Sequence, residues 1–294
     1  MRSLYLSLFT ILLINTSLQA EEVLLRYQFE PGQVVQYEVS MYDDYDIRIG
    51  VSSDEPYSHQ DSGKSYRVIS VGQDGSAVLE PTFEWIKIDV EQNDVRSTWD
   101  SRKGGNPPTE LAAMADVVGK PNLRISVTPT GEVTKVESLL GDKVEVDVDD
   151  PKQAALDVFL RLPQEPIEVG GTWREDFQGS VNVDPNVELK KVIKMQRRYY
   201  LKSVEDGIAT IELRTVVLTP VKEPAQLMQL LRRQPQGTIK LDLNRGLLIS
   251  KSLRQENQVQ GFVPNQASVL TFKQSHTEVF KSVQTAATAG PPTR

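Results

Sequence analysis

Residues 64–90, KSYRVISVGQDGSAVLEPTFEWIKIDV, carry the pattern that decides the fold. Apolar residues occupy alternate positions on both sides of Asp74-Gly75, a dipeptide typical of tight turns between antiparallel strands. The pattern predicts two long strands, Lys64 to Val71 and Ala77 to Val90, that form a hairpin with one buried face.

The same alternation recurs along the chain. Val23 to Phe29 and Val35 to Met41 flank Pro31-Gly32, which predicts another hairpin. Further strands are predicted at Leu123 to Val127, Val133 to Val136, Trp173 to Val183, Leu189 to Val204, Ile208 to Leu218, Thr238 to Leu243, Leu247 to Arg254 and Ser268 to Phe280. The sequence therefore predicts a mainly β protein with long antiparallel strands in a curved sheet or half-barrel.

Three short helices are predicted to cover this sheet. Thr109 is a suitable N-cap for a helix from Glu110 to Val118, and Gly119 can end it. Pro151 to Leu162 begins with proline after two acidic residues, which is typical of a first helical turn. Pro224 to Arg233 has an apolar stripe and two arginines at its end, as expected of a third helix.

Two stretches of the chain resemble each other. Ser70 to Glu80 aligns with Ser203 to Glu212 when one residue is gapped, and Pro31 to Val34 matches Gly170 to Trp173. In both stretches a long hairpin precedes a short helix and a second hairpin. This order favours an internal duplication, with two related halves that share one core.

The predicted organisation follows from this repeat. Residues 21–162 form the first β-rich half and residues 163–281 form the second. The proline-containing loop from Pro163 to Pro166 is the natural junction. Residues 282–294 have no periodicity and are predicted to form a disordered tail.

The first twenty residues are typical of a secretory signal peptide. One positive charge at Arg2 precedes an apolar run from Leu4 to Ile14, which is too short to span a bilayer comfortably. Cleavage is predicted between Ala20 and Glu21. We therefore expect an exported protein, periplasmic or extracellular, without a transmembrane segment in the mature chain.

Composition excludes several classes of function. The chain has 294 residues with 39% hydrophobic and 25% charged residues, and its net charge is -7. Mean hydropathy is -0.35, as in soluble globular proteins. The excess of acid argues against nucleic acid as a partner. Because the chain has no cysteine, thiol nucleophiles and thiolate metal sites are absent.

Sequence motifs for catalysis or cofactor binding are weak. Ser62 to Ser65 (SGKS) resembles the end of a phosphate-binding loop, but a strand follows where a helix is required. The chain has two histidines, His59 in a predicted polar loop and His276 in a predicted strand. Both are more typical of structural residues than of catalytic ones. We predict no catalytic residue, no metal ligand and no cofactor.

Two acidic clusters offer the oxygen ligands that calcium prefers, but neither has the spacing of a calcium loop. The first cluster is Asp43, Asp44 and Asp46. The second is Asp147, Asp149 and Asp150, where acids alternate with valines as on a strand with one solvated face.

Basic and aromatic residues could also bind a ligand. The densest basic run precedes Tyr199-Tyr200 and contains Lys190, Lys191, Lys194, Arg197 and Arg198. A strand would divide these charges between its two faces, and a solvated sheet face is the simpler interpretation. Three tryptophans, Trp85, Trp99 and Trp173, are more typical of core residues than of a ligand cleft.

Three segments resemble a family of exported bacterial proteins of unknown function: Leu25 to Tyr37 (LRYQFEPGQVVQY), Ser203 to Ala209 (SVEDGIA) and Asn244 to Leu248 (NRGLL). Because these motifs are turns and core positions, the resemblance implies a shared fold and no particular site. At fold level only, the pattern is similar to periplasmic lipoprotein-carrier domains, in which a curved sheet encloses an apolar cavity.

These observations favour a non-enzymatic binding or carrier module outside the cytoplasm, for a hydrophobic small molecule or a lipidated partner. The alternative is a structural or protein-interaction module of the cell envelope. A carboxylate-dependent hydrolase is a third hypothesis, because many acidic pairs are available and none is singled out.

Overall fold

The computed structural model describes residues 22–139, 159–184 and 187–285. Strands account for 63% of the structure and helices for 6%. The predicted signal peptide with its cleavage site at Ala20 and Glu21 lies outside these ranges, as does the second acidic cluster.

Fifteen strands are present in the described ranges. They are β1 (Glu22–Val23), β2 (Gln33–Ile49), β3 (Ser52–Asp54), β4 (Tyr57–Val71), β5 (Ala77–Gln92), β6 (Val95–Asp100), β7 (Leu123–Val127), β8 (Val133–Ser138), β9 (Ile167–Glu168), β10 (Thr172–Asp184), β11 (Val187–Glu205), β12 (Ile208–Val217), β13 (Gln236–Asp242), β14 (Leu247–Gln260) and β15 (Ser268–Thr285). The predicted mainly β class is confirmed.

Thirteen of these strands form one antiparallel sheet, in the order β10-β11-β12-β13-β14-β15-β2-β4-β5-β7-β8. β3 pairs with β2 and β6 pairs with β5, while β1 and β9 form a separate two-stranded sheet. The long sheet is open and does not close into a barrel. β15 joins the earlier and later strands, because it pairs with both β14 and β2.

The predicted turns connect neighbouring strands. Asp74-Gly75 lies between β4 and β5, Asp206-Gly207 lies between β11 and β12, and Gly246 lies between β13 and β14. These glycines have positive φ angles of 80°, 75° and 60°, which explains why glycine suits the turns. All three turns lie at the same end of the sheet.

The sheet bends strongly at this turn end. The backbone N–H of Tyr27 donates to Pro129 O at 2.8 Å, and that of Gln28 donates to Gly246 O at 3.1 Å. The two acceptors lie in turns of β7 and β14, which are five strand positions apart. On a flat sheet that separation would be about 24 Å, whereas consecutive residues are only about 3.8 Å apart. The sheet must therefore curl for both bonds to form.

The predicted strand from Val23 to Phe29 is wrong beyond its first residue. Only Glu22–Val23 is a strand, and its partner is β9. The following residues keep an alternating burial, with Leu25 and Tyr27 in the core. Their backbone bonds go to turns of the sheet, so the segment crosses the turn end and does not pair with β2 as a hairpin.

The prediction of three covering helices is not supported. Ala112–Ala115 is a four-residue helix, α1, after the 3₁₀ turn Thr109–Leu111, so the helix predicted to Val118 is too long. Pro224–Met228 is a five-residue helix, α2, and not the predicted ten residues. Most buried core residues come from strands, and the helices of the described ranges are short. None of them is long and apolar enough to cross a membrane.

The second predicted helix and the predicted tail both lie partly outside the described ranges. Residues 151–158 lie outside the described ranges, and residues 159–162 are not helical. β15 continues to Thr285, so residues 282–285 are a strand and not part of a disordered tail. The strand continues there because Ser282 to Thr285 still pair with Gln33 to Gln36 of β2.

The main core lies on one face of the bent sheet, at the turn end. Its buried residues are Leu25, Tyr27, Val35, Tyr37, Tyr66, Leu160, Leu162, Tyr199, Leu201, Ala209, Ile211, Leu213, Ile239, Leu241, Leu247 and Leu248. Because side chains alternate along a strand, the opposite face carries the intervening polar residues. We call these the core face and the outer face.

The two parts of the chain have the same order of elements. β2, β4 and β5 precede α1, β7 and β8, and β10, β11 and β12 precede α2, β13 and β14. The duplication proposed from the sequence, with its boundary at residue 162, stays a prediction.

One edge of the long sheet is partly covered. The Gln229 side chain accepts from the backbone N–H of Asn182 at 2.8 Å and donates to its carbonyl at 3.1 Å. Arg233 donates to Ser180 O at 3.2 Å. These contacts replace a neighbouring strand along this part of β10, which limits edge-to-edge association.

Candidate functional site

A groove of about 880 Å³ lies on the sheet where β10 to β14 run side by side. Its lining residues come from all five strands. They are Thr172, Trp173, Arg174, Gln196, Arg198, Tyr199, Tyr200, Glu212, Leu213, Arg214, Gln236, Gly237, Thr238 and Arg254. This volume falls within the usual range for ligand sites, roughly 300–1,000 Å³.

The lining residues are arranged in rows that cross the strands. Strand register places five residues directly opposite one another: Arg174, Arg198, Arg214, Gln236 and Arg254. We call these five the arginine row. A parallel row, the hydroxyl row, contains Thr172, Tyr200, Glu212 and Thr238. The groove therefore runs perpendicular to the strands.

Both rows belong to the outer face. Between them lies a third row whose side chains belong to the core face, where Tyr199 and Leu213 are buried. Gly237 is in this row and has no side chain. The backbone of this third row therefore forms the floor of the groove.

The arginine row is positively charged and almost uncompensated. Its four arginines are exposed, and ion pairs within the described ranges involve other residues. Arg198 Nε donates to Gln196 Oε1 at 2.7 Å. The lining contains one carboxylate, Glu212, and Lys202 Nζ already lies 2.8 Å from its Oε1. An anion in the groove would thus meet little competing negative charge.

The arrangement of these arginines opposes folding. Arg198 stands directly across from Arg174 on one side and from Arg214 on the other. Like charges directly opposite in a sheet are destabilising, by roughly 0.2–1 kcal/mol for a pair. Residues that lower the stability of the fold without a compensating stabilising contact are typical of binding sites.

The basic run seen in the sequence is divided between the faces, as expected. Arg197 lies on the core face, buried, with its Nη1 3.4 Å from Glu175 Oε2. Arg198 lies on the outer face, in the groove. The other three arginines of the row were missed in the sequence analysis, because only strand register brings them beside Arg198.

Local backbone features shape the groove. A Cβ on Gly237 would lie 2.0 Å from Ser252 O, so β13 and β14 approach closely there. Register shifts occur between Leu201 and Ser203 of β11 and between Lys240 and Leu241 of β13. Such bulges bend a strand and increase its twist. They lie close to the arginine row, on the same strands.

A buried ion pair lies on the core face. Lys251 Nζ is 2.6 Å from Glu278 Oε2, and both side chains are buried. Burial alone would raise the pKa of Glu278, but Lys251 and Lys64 outweigh this effect and lower it. His276 Nε2 lies 4.0 Å from the same carboxylate. Burial and the Lys251 charge lower the pKa of His276 to about 4, so this histidine is neutral near neutral pH.

Two small apolar cavities adjoin this pair. One, of about 30 Å³, is lined by Tyr27, Tyr37, Tyr66 and neighbouring apolar residues, with Glu278 at its wall. The other, of about 50 Å³, lies between Phe159 and Lys251. Each volume exceeds the roughly 10–15 Å³ that a cavity needs to hold one water molecule, so both have room for water.

His59 lies in strand β4 and not in the predicted loop, because β4 begins at Tyr57. On the outer face its Nε2 is 3.3 Å from Ser40 Oγ and 3.2 Å from Asp61 Oδ1. A nucleophile triad needs the acid on one ring nitrogen and the serine on the other. Here both contacts fall on the same nitrogen, so the arrangement does not activate Ser40.

The first acidic cluster is divided by the sheet. Asp43 lies on the core face, with Oδ2 2.7 Å from Arg232 Nη2. Asp46 is paired instead with Arg48 at 2.7 Å. Within the described ranges, no three acidic or histidine side chains are grouped to hold a metal ion.

The remaining sequence candidates occupy structural positions. Trp173 stacks on Tyr199 with 5.1 Å between ring centroids, and its Nε1 donates to Arg161 O at 2.7 Å. Trp85 lies under the Arg102 guanidinium at 4.0 Å. Residues 62–65 lie inside β4, so they do not form a phosphate-binding loop.

Comparison with known proteins gives no family. No protein-family model and no curated sequence matches the chain. Among solved structures, one similar chain is lipovitellin, studied for its lipid–protein interactions, with a TM-score of 0.47 and 12% identity. The match covers 90% of this chain and 26% of that one, so this chain spans about a quarter of lipovitellin.

Two other solved structures are more distant. DynF from the dynemicin biosynthesis pathway of Micromonospora chersina has a TM-score of 0.18 at 6% identity, with 87% of this chain and 85% of that chain covered. The type II secretion secretin XcpQ from Pseudomonas aeruginosa has a TM-score of 0.17 at 10% identity, with 86% and 59% covered. At these scores the likeness carries no inference about function.

Proposed function

We propose that the protein is a non-enzymatic binding module, acting outside the cytoplasm, that binds an anionic ligand in the groove of β10 to β14. The arginine row carries this proposal. Four exposed arginines on neighbouring strands have no acidic partner within the described residues, although two pairs of them repel each other. An anion would relieve that repulsion by forming charge-assisted hydrogen bonds with the guanidinium groups.

A hydrophobic ligand, which the sequence favours, needs an apolar space of comparable size. The apolar cavities bounded by Tyr27, Tyr66 and Phe159 hold about 30 and 50 Å³, whereas ligand pockets hold roughly 300–1,000 Å³. The hydrophobic-ligand hypothesis stays a prediction, and a lipidated partner would have to bind elsewhere. The anionic ligand is the better fit to the described geometry.

The proposal that the protein is not an enzyme has its own support. The Ser40, His59 and Asp61 contacts lack triad geometry. The groove itself offers guanidinium and hydroxyl groups, which bind anions, but its single carboxylate is paired with Lys202. Such a lining can hold a ligand and has no evident base to transform it. If the protein instead acts as a protein-interaction module of the cell envelope, the groove would bind a partner protein through an acidic segment.

The test is a binding experiment with a charge-matched control. Dextran sulfate is titrated into the wild-type protein and into the triple variant Arg174→Gln, Arg198→Gln, Arg214→Gln by calorimetry at several salt concentrations. The control variant removes three exposed basic residues away from the groove: Arg67→Gln and Lys87→Gln in the other part of the sheet, and Lys103→Gln in the 3₁₀ turn after β6.

We expect wild type and the control variant to bind alike and the triple variant to bind much more weakly. Binding should also weaken as salt screens the charges. Equal loss in both variants would mean that only net charge matters, and it would refute the groove as the site. No binding by the wild-type protein would refute the anionic ligand.

A further inference from the structure

We infer that the anionic ligand is an acidic polysaccharide that lies across the strands, with one charged sugar residue near each strand position of the arginine row. This inference rests on the proposed function and specifies its ligand. The observations that carry it are the direction, length and spacing of the row and the chemistry of the residues beside it.

The direction of the groove favours a linear ligand. The arginine row and the hydroxyl row run parallel across five strands. Neighbouring strands are about 4.8 Å apart, so the row extends over about 19 Å from Arg174 to Arg254. A single phosphate or carboxylate would contact one or two arginines and leave the others unpaired. A chain with several negative charges can contact all four.

The spacing favours a sugar backbone. The positive charges repeat at the distance between strands, which is similar to the length of one monosaccharide in an extended glycan. A uronic acid chain carries one carboxylate for each sugar, and Arg binds carboxylates with two parallel hydrogen bonds. Gln236 interrupts the arginine row at its fourth position. An amide there can bind a sugar hydroxyl, as either donor or acceptor.

The second row supplies the other groups that a sugar needs. Thr172 and Thr238 offer hydroxyl groups, and Tyr200 is 40% exposed with its ring at the groove. A tyrosine ring packs against the apolar face of a sugar while its hydroxyl stays solvated. Nucleic acid is less suited, since single strands need a series of aromatic platforms and Tyr200 is the one aromatic side chain that the lining places on the outer face.

The floor of the groove permits a close approach. The side chains of the floor row point to the core face, so backbone alone lies between the two rows of outer-face side chains. A flat membrane surface could not follow a recess between two rows of side chains, whereas a single glycan chain could. The geometry therefore favours a polysaccharide over anionic lipid headgroups.

The experiment uses oligogalacturonates of increasing length, with the full protein. Affinity should rise with each added residue up to about five, the number of positions in the row, and then level off. Each arginine changed to Gln should lower the affinity about fivefold, the upper end of the contribution of an exposed ion pair. Methyl-esterified oligogalacturonate, which has the same backbone without charge, should not bind.

A variant of the tyrosine separates sugar recognition from charge. Tyr200→Ala should weaken binding of oligogalacturonate severalfold and leave the affinity for tripolyphosphate unchanged. Tyr42→Ala is the matched control, because Tyr42 is also 40% exposed and lies outside the groove. It should change neither affinity.

The same titrations with tripolyphosphate, oligo(dT) and phosphatidylglycerol vesicles decide between ligand classes. If one of these binds through the arginines at least as tightly as the pentamer of galacturonate, the polysaccharide is refuted while the anionic site stands. If affinity does not depend on oligosaccharide length, the inference fails in the same way. If none of the anions binds, the proposed function fails as well.

Discussion

Relief of the repulsion between arginines provides the sharpest test of the groove. The double variant Arg174→Gln, Arg214→Gln removes both arginines that stand opposite Arg198 and leaves the bond from Arg198 to Gln196 in place. Each opposed pair costs roughly 0.2–1 kcal/mol. The free energy of unfolding should therefore rise by about 1 kcal/mol when both pairs are removed, which corresponds to about 2 °C in Tm for a chain of this size.

Urea unfolding at two salt concentrations measures this gain. The Debye length is about 30 Å at 0.01 M salt and about 3 Å at 1 M, so the gain should be present at the lower concentration and small at the higher one. The same variant should lose affinity for the anionic ligand. Stability and binding would then change in opposite directions, as expected when residues are retained for function at a cost to folding.

Arg254→Gln is the control for this experiment. Arg254 belongs to the same row, but its cross-strand neighbours are Gln236 and Ser275, so it has no like charge opposite. We expect weaker ligand binding with little change in stability. An equal gain in stability from Arg254→Gln, or a loss of stability in the double variant, would refute the argument from repulsion.

Three further predictions concern the fold. Lys251→Met should lower the free energy of unfolding by about 3 kcal/mol in urea titrations, because it removes the ion-pair partner 2.6 Å from the buried Glu278 carboxylate and leaves Lys64 as the remaining nearby cation; an effect below about 1 kcal/mol would contradict this. As pH falls from 6.5 towards 4, His276 gains a proton in the unfolded state but not in the folded state, so the free energy of unfolding of wild type should fall by up to roughly 3 kcal/mol. The fall should be smaller for His276→Gln, and an equal fall would refute the lowered pKa of His276. Gly246→Ala should destabilise much more than Gly50→Ala, although both residues have a φ of 60°, because only Gly246 is crowded by backbone from the crossing segment; similar Tm losses would refute that contact.

The strands were predictable because alternation is a local signal. β4 and β5 were found from alternate apolar residues around Asp74-Gly75, which also placed the turn. The same signal failed for Leu25 and Tyr27. Alternation shows that one side of a segment is buried, but it does not show which backbone groups the segment bonds to. Here those groups belong to distant turns.

The groove could not be predicted because it depends on strand order and register. The sequence shows that Arg174, Arg198, Arg214 and Arg254 lie on strands. It does not show that the four strands are neighbours or that the arginines are level with one another. Their separation along the chain hides the row, and of its four arginines only Arg198 lies in the dense basic run from Lys190 to Arg198. A shift of register by one residue would have placed one arginine on the core face.

The other part of the same sheet shows that uncompensated charge is not a general property of this fold. On the outer face of β4, β5 and β7, Arg67 stands opposite Glu80, and Arg124 Nη2 lies 2.5 Å from the same carboxylate. An acid placed between two arginines thus lets this part of the sheet carry basic residues without repulsion between them. The corresponding position between Arg174 and Arg214 holds a third arginine. Among the described residues, the arginine row in the groove lacks such compensation, and this contrast supports the proposal that an anionic ligand supplies the missing negative charge.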